Sequence, residues 1–231
     1  MEPMVPQTIS RVQTSNVELV LRTCEMGEGE PPAYEVIFNG AFLTSTRNFF
    51  SERQLARIAL RLLRPVDCLH ILIGGLGIGY TLAEALKDPR VVWADVVEIS
   101  AHLIRWARTY FAPYNRHALE DPRVHVIQVD LLAFIGWCRS SYDALLLDVD
   151  NGPTWPVLNR NRALYERPSL EVLKGLLRPE GVLAVWSWEQ STVFAHKLQD
   201  VFGGAEEWEV DEPDGTRTYV YTAKTSASGF P

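Results

Sequence analysis

Three cysteines in 231 residues, Cys24, Cys68 and Cys138, are odd in number, far apart and never in a C-x-x-C pair. That spacing excludes a disulfide framework and a cysteine-based structural zinc, and it fits a reducing compartment, so a cytoplasmic location is expected. The five histidines are equally scattered, with no H-x-x-x-H spacing, and no metal site is expected. Basic residues form no block and the formal net charge is −7, so an electrostatic footprint for nucleic acid is missing. No apolar run approaches the roughly eighteen residues that a membrane span needs. The first residues include Glu2 and several polar side chains, without the basic segment and apolar stretch of an export signal. What remains, 47% hydrophobic and 22% charged residues, is the composition of an ordinary folded domain able to bury a core. The acidic balance suits a small or amine-bearing substrate better than a polyanion.

Glycine is unexceptional in number but concentrated in one place. The segment His70-Ile71-Leu72-Ile73-Gly74-Gly75-Leu76-Gly77-Ile78-Gly79-Tyr80 is an apolar run that breaks into four glycines within six positions, with a helical pattern after it. Glu98 ends the next apolar run, at the spacing where a carboxylate grips a nucleotide ribose. Gly74, Gly75, Gly77 and Gly79 are expected to allow a tight turn and a close approach of backbone to ligand. The dinucleotide fingerprint G-x-G-x-x-G fails here, because its third glycine falls on Tyr80 in one register and on Leu82 in the other. The G-x-G-x-G that does occur (Gly75, Gly77, Gly79) resembles motif I of the class I S-adenosylmethionine (SAM) methyltransferase fold. A nucleoside-containing cofactor is therefore expected. An NAD-dependent oxidoreductase is disfavoured by this spacing and by the lack of a Tyr-x-x-x-Lys pair.

Elsewhere the pattern is one of alternation. Residues 1–16 read as a loose tail, 17–22 and 34–38 as strands, and 27–32 as a loop. Asn39-Gly40 is a two-residue hairpin signal, so the first 45 or so residues read as a small antiparallel sheet. Ser51-Glu52-Arg53-Gln54 matches a capping box, after which Leu55, Ile58, Ala59 and Leu62 share a helical face. Strands are expected at 66–73, 91–98, 123–129, 143–148 and 182–188, and helices at 79–87, 100–111, 131–139, 168–177 and 191–202. This predicts an α/β fold, a doubly wound, mostly parallel seven-stranded sheet closed by an antiparallel hairpin at 206–210 and 217–222. The expected organisation is an N-terminal β region over 1–50 and a Rossmann-like domain over 51–231, with no internal repeat or low-complexity tract.

Over residues 34–190 the sequence resembles the spermidine synthase family, the aminopropyltransferases built on the class I methyltransferase fold. The likeness rests on the leading hairpin, the glycine loop, Glu98, Asp130, Tyr142-Asp143-Ala144-Leu145-Leu146-Leu147-Asp148, Leu164-Tyr165, and Leu177-Arg178-Pro179-Glu180-Gly181-Val182-Leu183. It implies SAM or decarboxylated SAM as cofactor, with Glu98 on the ribose hydroxyls and Asp130, beside Leu131, facing the adenine amino group. Asp130 taken alone also fits an N-cap for 131–139. Asp148 corresponds to the first Asp of the family's D-S-S-D-P gate, which orients and helps deprotonate the attacking amine. Here the gate reads Asp148-Val149-Asp150-Asn151-Gly152-Pro153, one residue longer and without hydroxyls. Asp148 and Asp150 are the candidate catalytic residues, although Asp150 and Asn151 also fit an Asx-turn.

The departures from that family matter as much. In place of its Gln and D-E-x-x-Y-H-E run stand Thr44-Ser45-Thr46-Arg47-Asn48 and Ser51-Glu52-Arg53-Gln54-Leu55-Ala56, of which Glu52 alone matches. The glycine loop carries Leu76 or Ile78 where the family has Asp. The expected activity is thus methyl transfer to a small-molecule acceptor such as an amine. The alternatives are movement of the three-carbon arm of SAM or decarboxylated SAM, and a nucleoside-binding protein without turnover. The stretch from Thr154 to Tyr165 reads as a lid, with Trp155 and Tyr165 able to cover the site and Arg160 and Arg162 able to clamp a carboxylate. Trp186 and Trp188 read as core aromatics. The N-terminal hairpin offers a surface for a homodimer, and neither nucleic acid nor a membrane is an expected partner.

Overall fold

A computed structural model describes residues 6–13, 17–24, 31–47, 49–156 and 158–227, and the chain divides into two units between Phe49 and Phe50. The first unit is an antiparallel sheet of β1 (Gln7–Gln13), β2 (Glu18–Cys24), β3 (Ala33–Phe38) and β4 (Ala41–Ser45), paired in that order. Asn39 and Gly40 turn the β3–β4 hairpin with φ of 48° and 81°, the two positive values that a primed turn demands. β1 corrects the expected tail. It is an edge strand that is largely exposed and holds Arg11 against Glu18 of β2 at 2.8 Å, so it lacks the apolar alternation that reveals a half-buried strand. Residues 27–30 of the expected loop lie outside the described residues.

The second unit carries a seven-stranded sheet in the order β10-β11-β9-β8-β5-β6-β7. β5 (Leu69–Gly74), β6 (Val91–Glu98), β7 (Val124–Gln128), β8 (Tyr142–Leu147) and β9 (Leu177–Ser187) run parallel; β10 (Glu206–Asp211) and β11 (Arg217–Lys224) form the antiparallel end. Their alternation with α1 (Phe50–Leu62), α2 (Tyr80–Ala85), α3 (Ala101–Arg108), α4 (Leu131–Trp137), α5 (Arg167–Leu176) and α6 (Thr192–Phe202) is the predicted doubly wound pattern. Leu72, Val97, Leu145, Leu147, Leu183 and Val185 form one core with α4, α5 and α6, while α1 packs on β8, β9, β11 and α2. Strand order reverses between β5 and β8, and ligands of open α/β sheets bind at such a switch, beyond the strands' C-terminal ends.

Several boundaries differ from the sequence pattern, among them α2 and α3, which are shorter than expected, and three with a local cause. β5 begins at Leu69 because Cys68 turns the chain at φ 63°. β9 starts at Leu177 and absorbs Arg178–Gly181 through a register shift opposite Tyr142 and Ala144. Ser51 lies inside the first turn of α1 instead of capping it, which turns Glu52 into a residue of the site. Trp188 is exposed, as are Trp93 and Trp137, so of the pair at the end of β9 Trp186 alone is buried. No helix among the described residues is long and apolar enough to cross a membrane.

One device recurs at the opposite edge of the sheet. Asp88-Pro89-Arg90 and Asp121-Pro122-Arg123 precede β6 and β7, and in each the Asp holds its own Arg through paired hydrogen bonds of 2.6–3.1 Å. The Arg90 guanidinium then donates to the Leu60 and Arg64 carbonyls, and that of Arg123 to the Val91 and Leu86 carbonyls. These forks bind carbonyls at the C-terminal ends of α1 (Leu60) and α2 (Leu86) and brace the first residue of β6 (Val91).

Candidate active site

The glycine loop follows β5, and its glycines serve different purposes. Gly75, Gly77 and Gly79 adopt φ of 88°, 52° and 100°. A Cβ on Gly75 would stand 2.0 Å from the Asp148 carbonyl oxygen, and one on Gly74 2.5 Å from Leu131 Cδ2. A Cβ on Gly79 would press on Asn115 at 3.1 Å, whereas at Gly77 it would meet nothing within 4 Å. The protein's own packing therefore demands three of the four glycines, and Gly77 is the one that opens outward. Asn115, fully buried, fixes the end of the loop: its Nδ2 donates to the Ile78 and Ala107 carbonyls, both at 2.9 Å. Nothing local in the sequence distinguished it.

Glu98 ends β6 at 6% exposure. Its Oε2 accepts from the Leu76 N–H at 3.1 Å and its Oε1 from the Ser100 N–H at 2.7 Å, which ties the glycine loop to the start of α3. Burial raises its pKa, and those two N–H groups work against the rise. A carboxylate has about four acceptor positions, and with the Ile99 N–H also bonded to this one, about one remains for a hydroxyl donor. Asp130 does cap α4, with Oδ1 accepting from Ala133 N–H at 3.2 Å, while Oδ2 pairs with Arg160 at 3.2 Å. Leu131, 8% exposed, packs on Gly74.

Asp148 follows β8, where its N–H donates to the Gly74 carbonyl at 2.8 Å. Its Oδ2 accepts from the Thr81 hydroxyl at 2.6 Å, and Thr81 is 2% exposed in the first turn of α2. Burial pushes Asp148 up to about 6, with the Thr81 hydrogen bond opposing. Glu52 is pushed up to about 8, first by burial, then by the negative charge of Asp148 and, more weakly, that of Glu212. Glu212 lies in the turn between β10 and β11, where the Thr218 hydroxyl donates to its Oε1 at 3.4 Å. Three carboxyl groups thus converge from α1, β8 and the final hairpin. At neutral pH Asp148 is largely ionised and Glu52 largely protonated.

The gate is organised from within. Asp150 sits at φ 53°, and its Oδ2 accepts from Asn161 Nδ2 at 2.7 Å and from the Leu158 N–H at 3.4 Å. Its side chain thereby holds the loop at residues 158 and 161, a longer reach than the local Asx-turn expected at Asp150 and Asn151. The stretch expected to lack a period contains a 3-10 helix, Asn159–Tyr165, and Val157 lies outside the described residues. Tyr165 is a support and not a cover: it is buried, its ring meets Phe194 edge-on, and its hydroxyl donates to the Val149 carbonyl at 2.9 Å. Trp155 is exposed, Arg162 likewise, and Arg160 is engaged with Asp130.

Known proteins are similar to this chain in sequence and in fold. The model of the spermine/spermidine synthase domain matches residues 49–201, more than half of the chain. The sequence is 32% identical over 168 residues to polyamine aminopropyltransferase 2 of Pseudomonas aeruginosa, covering 66% of this chain and 46% of that one. It is 30% identical over 161 residues to putrescine N-methyltransferase 2 of Nicotiana tabacum, covering 69% of this chain and 44% of that one. The chain thus spans about half the length of the curated relatives it matches. Spermidine synthase from Thermotoga maritima superposes with a TM-score of 0.76 over 97% of this chain and 75% of that one, at 18% identity, which is a likeness of fold. The glycine loop, Glu98 and Asp148 all lie within the matched residues, and the chain belongs to the spermine/spermidine synthase family.

Proposed function

We propose that this chain is a SAM-dependent transferase that methylates the nitrogen of a small-molecule amine. The observation that carries the reading is Asp148, ionised beside a protonated Glu52 and positioned by Thr81 at the switch point of the sheet. The cofactor half fits an S-adenosyl nucleoside, with Gly77 open to it, Glu98 offering an unused acceptor position to the ribose and Asp130 next to the adenine side. When bound, the sulfonium supplies a carbon already activated toward nucleophiles. The protein's part is to hold the amine, exclude water and take one proton: the amine N–H proton passes to a carboxylate oxygen of Asp148. Glu52, kept neutral by burial, leaves Asp148 as the charged partner of the ammonium.

Methyl transfer is favoured over transfer of the three-carbon arm because the glycine loop carries Leu76 and Ile78, both almost fully buried, where the resembled family has an Asp. Kinship to an aminopropyltransferase supports the second reading. Mass spectrometry of the nucleoside formed from SAM or decarboxylated SAM, with an amine mixture, separates the two. S-adenosylhomocysteine establishes methyl transfer, methylthioadenosine establishes three-carbon transfer, and neither product means a protein that binds without turnover.

Two variants probe the halves of the site. Glu98→Ala is expected to weaken binding of S-adenosylhomocysteine by roughly 1–3 kcal/mol, the loss of charge-assisted hydrogen bonds; an unchanged Kd by calorimetry removes Glu98 from the site. In the pH profile, kcat/KM is expected to climb as Asp148 ionises near 6 and to inflect again near 8, where Glu52 acquires its charge. Glu52→Gln should keep the lower limb and abolish the upper inflection. A variant profile identical to the wild-type one excludes Glu52.

A further inference from the structure

The acceptor side of the site holds a buried donor that the mechanism above does not use. Trp186, near the C-terminal end of β9, is 9% exposed, and its indole N–H is buried without a hydrogen-bond partner among the described residues. Leu183 and Val185 face the α4–α6 core, so strand alternation places Trp186 on the opposite face, the one covered by α1. Leu147 pairs with Val185, and the next residues along these parallel strands are Asp148 and Trp186, on the same face. On the other flank Trp186 pairs with Val220 of β11, two residues beyond Thr218, which bonds Glu212. Trp186 therefore lies on a strand flanked on one side by the strand that runs into Asp148 and on the other by the hairpin that carries Glu212.

A buried N–H with no partner is rare in native folds and calls for an acceptor. A protonated diamine supplies none, because an ammonium is all donors. A carboxylate supplies one but would sit beside the negative charges of Asp148 and Glu212, which repel it. A neutral oxygen satisfies the indole and meets no repulsion. We infer that the amine acceptor carries a neutral hydrogen-bond-accepting oxygen, a hydroxyl or an amide carbonyl, and that Trp186 is the residue that selects it. This inference rests on the amine transfer proposed above and names the class of amine.

Three probes of equal chain length test it: 4-aminobutan-1-ol, N-(4-aminobutyl)acetamide and butane-1,4-diamine. The full chain is labelled with 15N at tryptophan, held with S-adenosylhomocysteine or methylthioadenosine, and the Trp186 indole resonance is identified by its loss in Trp186→Phe. A downfield shift of that resonance with either oxygen-bearing amine, and none with the diamine, is the expected result. In turnover, Trp186→Phe should lower kcat/KM for the oxygen-bearing amines, chiefly through KM, about tenfold more than for the diamine. An equal shift with all three amines, or an equal loss for all three in Trp186→Phe, overturns the inference. If the nucleoside binds and no amine moves the indole, the inference alone falls. If the nucleoside does not bind, the functional reading falls and takes this inference with it.

Discussion

Asp148→Asn is expected to lower turnover by about 10²–10⁴-fold, the usual worth of a positioned general base, while nucleoside affinity stays within about a factor of two. Asn keeps the shape of Asp, and its side-chain oxygen still accepts the 2.6 Å hydrogen bond from Thr81, so the glycine loop and gate keep their positions. What is lost is the group that takes the amine proton and the charge that attracts an ammonium. A second consequence is specific to this pair of carboxyls. Asp148 is part of what pushes Glu52 up, so Asn at 148 lets the pKa of Glu52 fall from about 8. Glu52 then becomes the charged partner of the amine, from a position set by α1 instead of β8. Residual activity in Asp148→Asn should therefore vanish in the double variant with Glu52→Gln, measured as single-turnover product formation. Equal losses of turnover and of nucleoside affinity in Asp148→Asn would make Asp148 a structural residue.

Gly75→Ala is expected to be the most damaging small substitution in the chain. Its Cβ would lie 2.0 Å from the Asp148 carbonyl oxygen, at a φ of 88° that alanine avoids. Neither atom can move cheaply. The Gly75 N–H donates to the Val97 carbonyl at 2.9 Å, and the Asp148 N–H to that of Gly74 at 2.8 Å, so relief requires separating strands. Overpacking and a disfavoured backbone together cost at least roughly 3 kcal/mol. For a chain of this size that lowers Tm by about 6–12 °C in a thermal melt. Gly77→Ala is the control. Its Cβ meets nothing within 4 Å, so only the left-handed backbone at φ 52° opposes it, at about 1–2 kcal/mol. Its effect should show in nucleoside Kd more than in Tm. A Gly77→Ala melt as low as that of Gly75→Ala would contradict the division of labour drawn from the loop.

The legible parts of this chain were those written in consecutive residues. Gly74 to Gly79, Glu98, Asp130 and Asp148 each follow an apolar run, so period and spacing located the strand ends, and the strand ends are where a parallel sheet carries its site. Glu52 was seen only as a surviving family residue, and a capping box explained it locally; its partner Asp148 lies 96 positions away, and no pattern announces such a pair. Thr81 and Asn115 were silent for the same reason, since their partners lie 67 and 37 positions off. Asp148 and Asp150 look equivalent on paper at i and i+2, whereas the second accepts from Leu158 and Asn161, 8 and 11 positions away, which no local pattern announces. β1 was missed because an exposed edge strand needs no apolar alternation to form.

The Asp–Pro–Arg forks have a bearing on pH that the site itself reverses. Arg90 holds Asp88, and Arg123 holds Asp121, below the usual carboxylate range. Their contribution is present above the unfolded pKa and is lost as pH falls through the lower folded value. Asp148 and Glu52 run the other way. Burial raises both, so the stability their protonated forms confer is lost as pH rises through about 6 and then about 8. One sheet thus loosens from its strand starts in acid and from its strand ends in alkali. The alkaline edge is the one at which the proposed amine would bind.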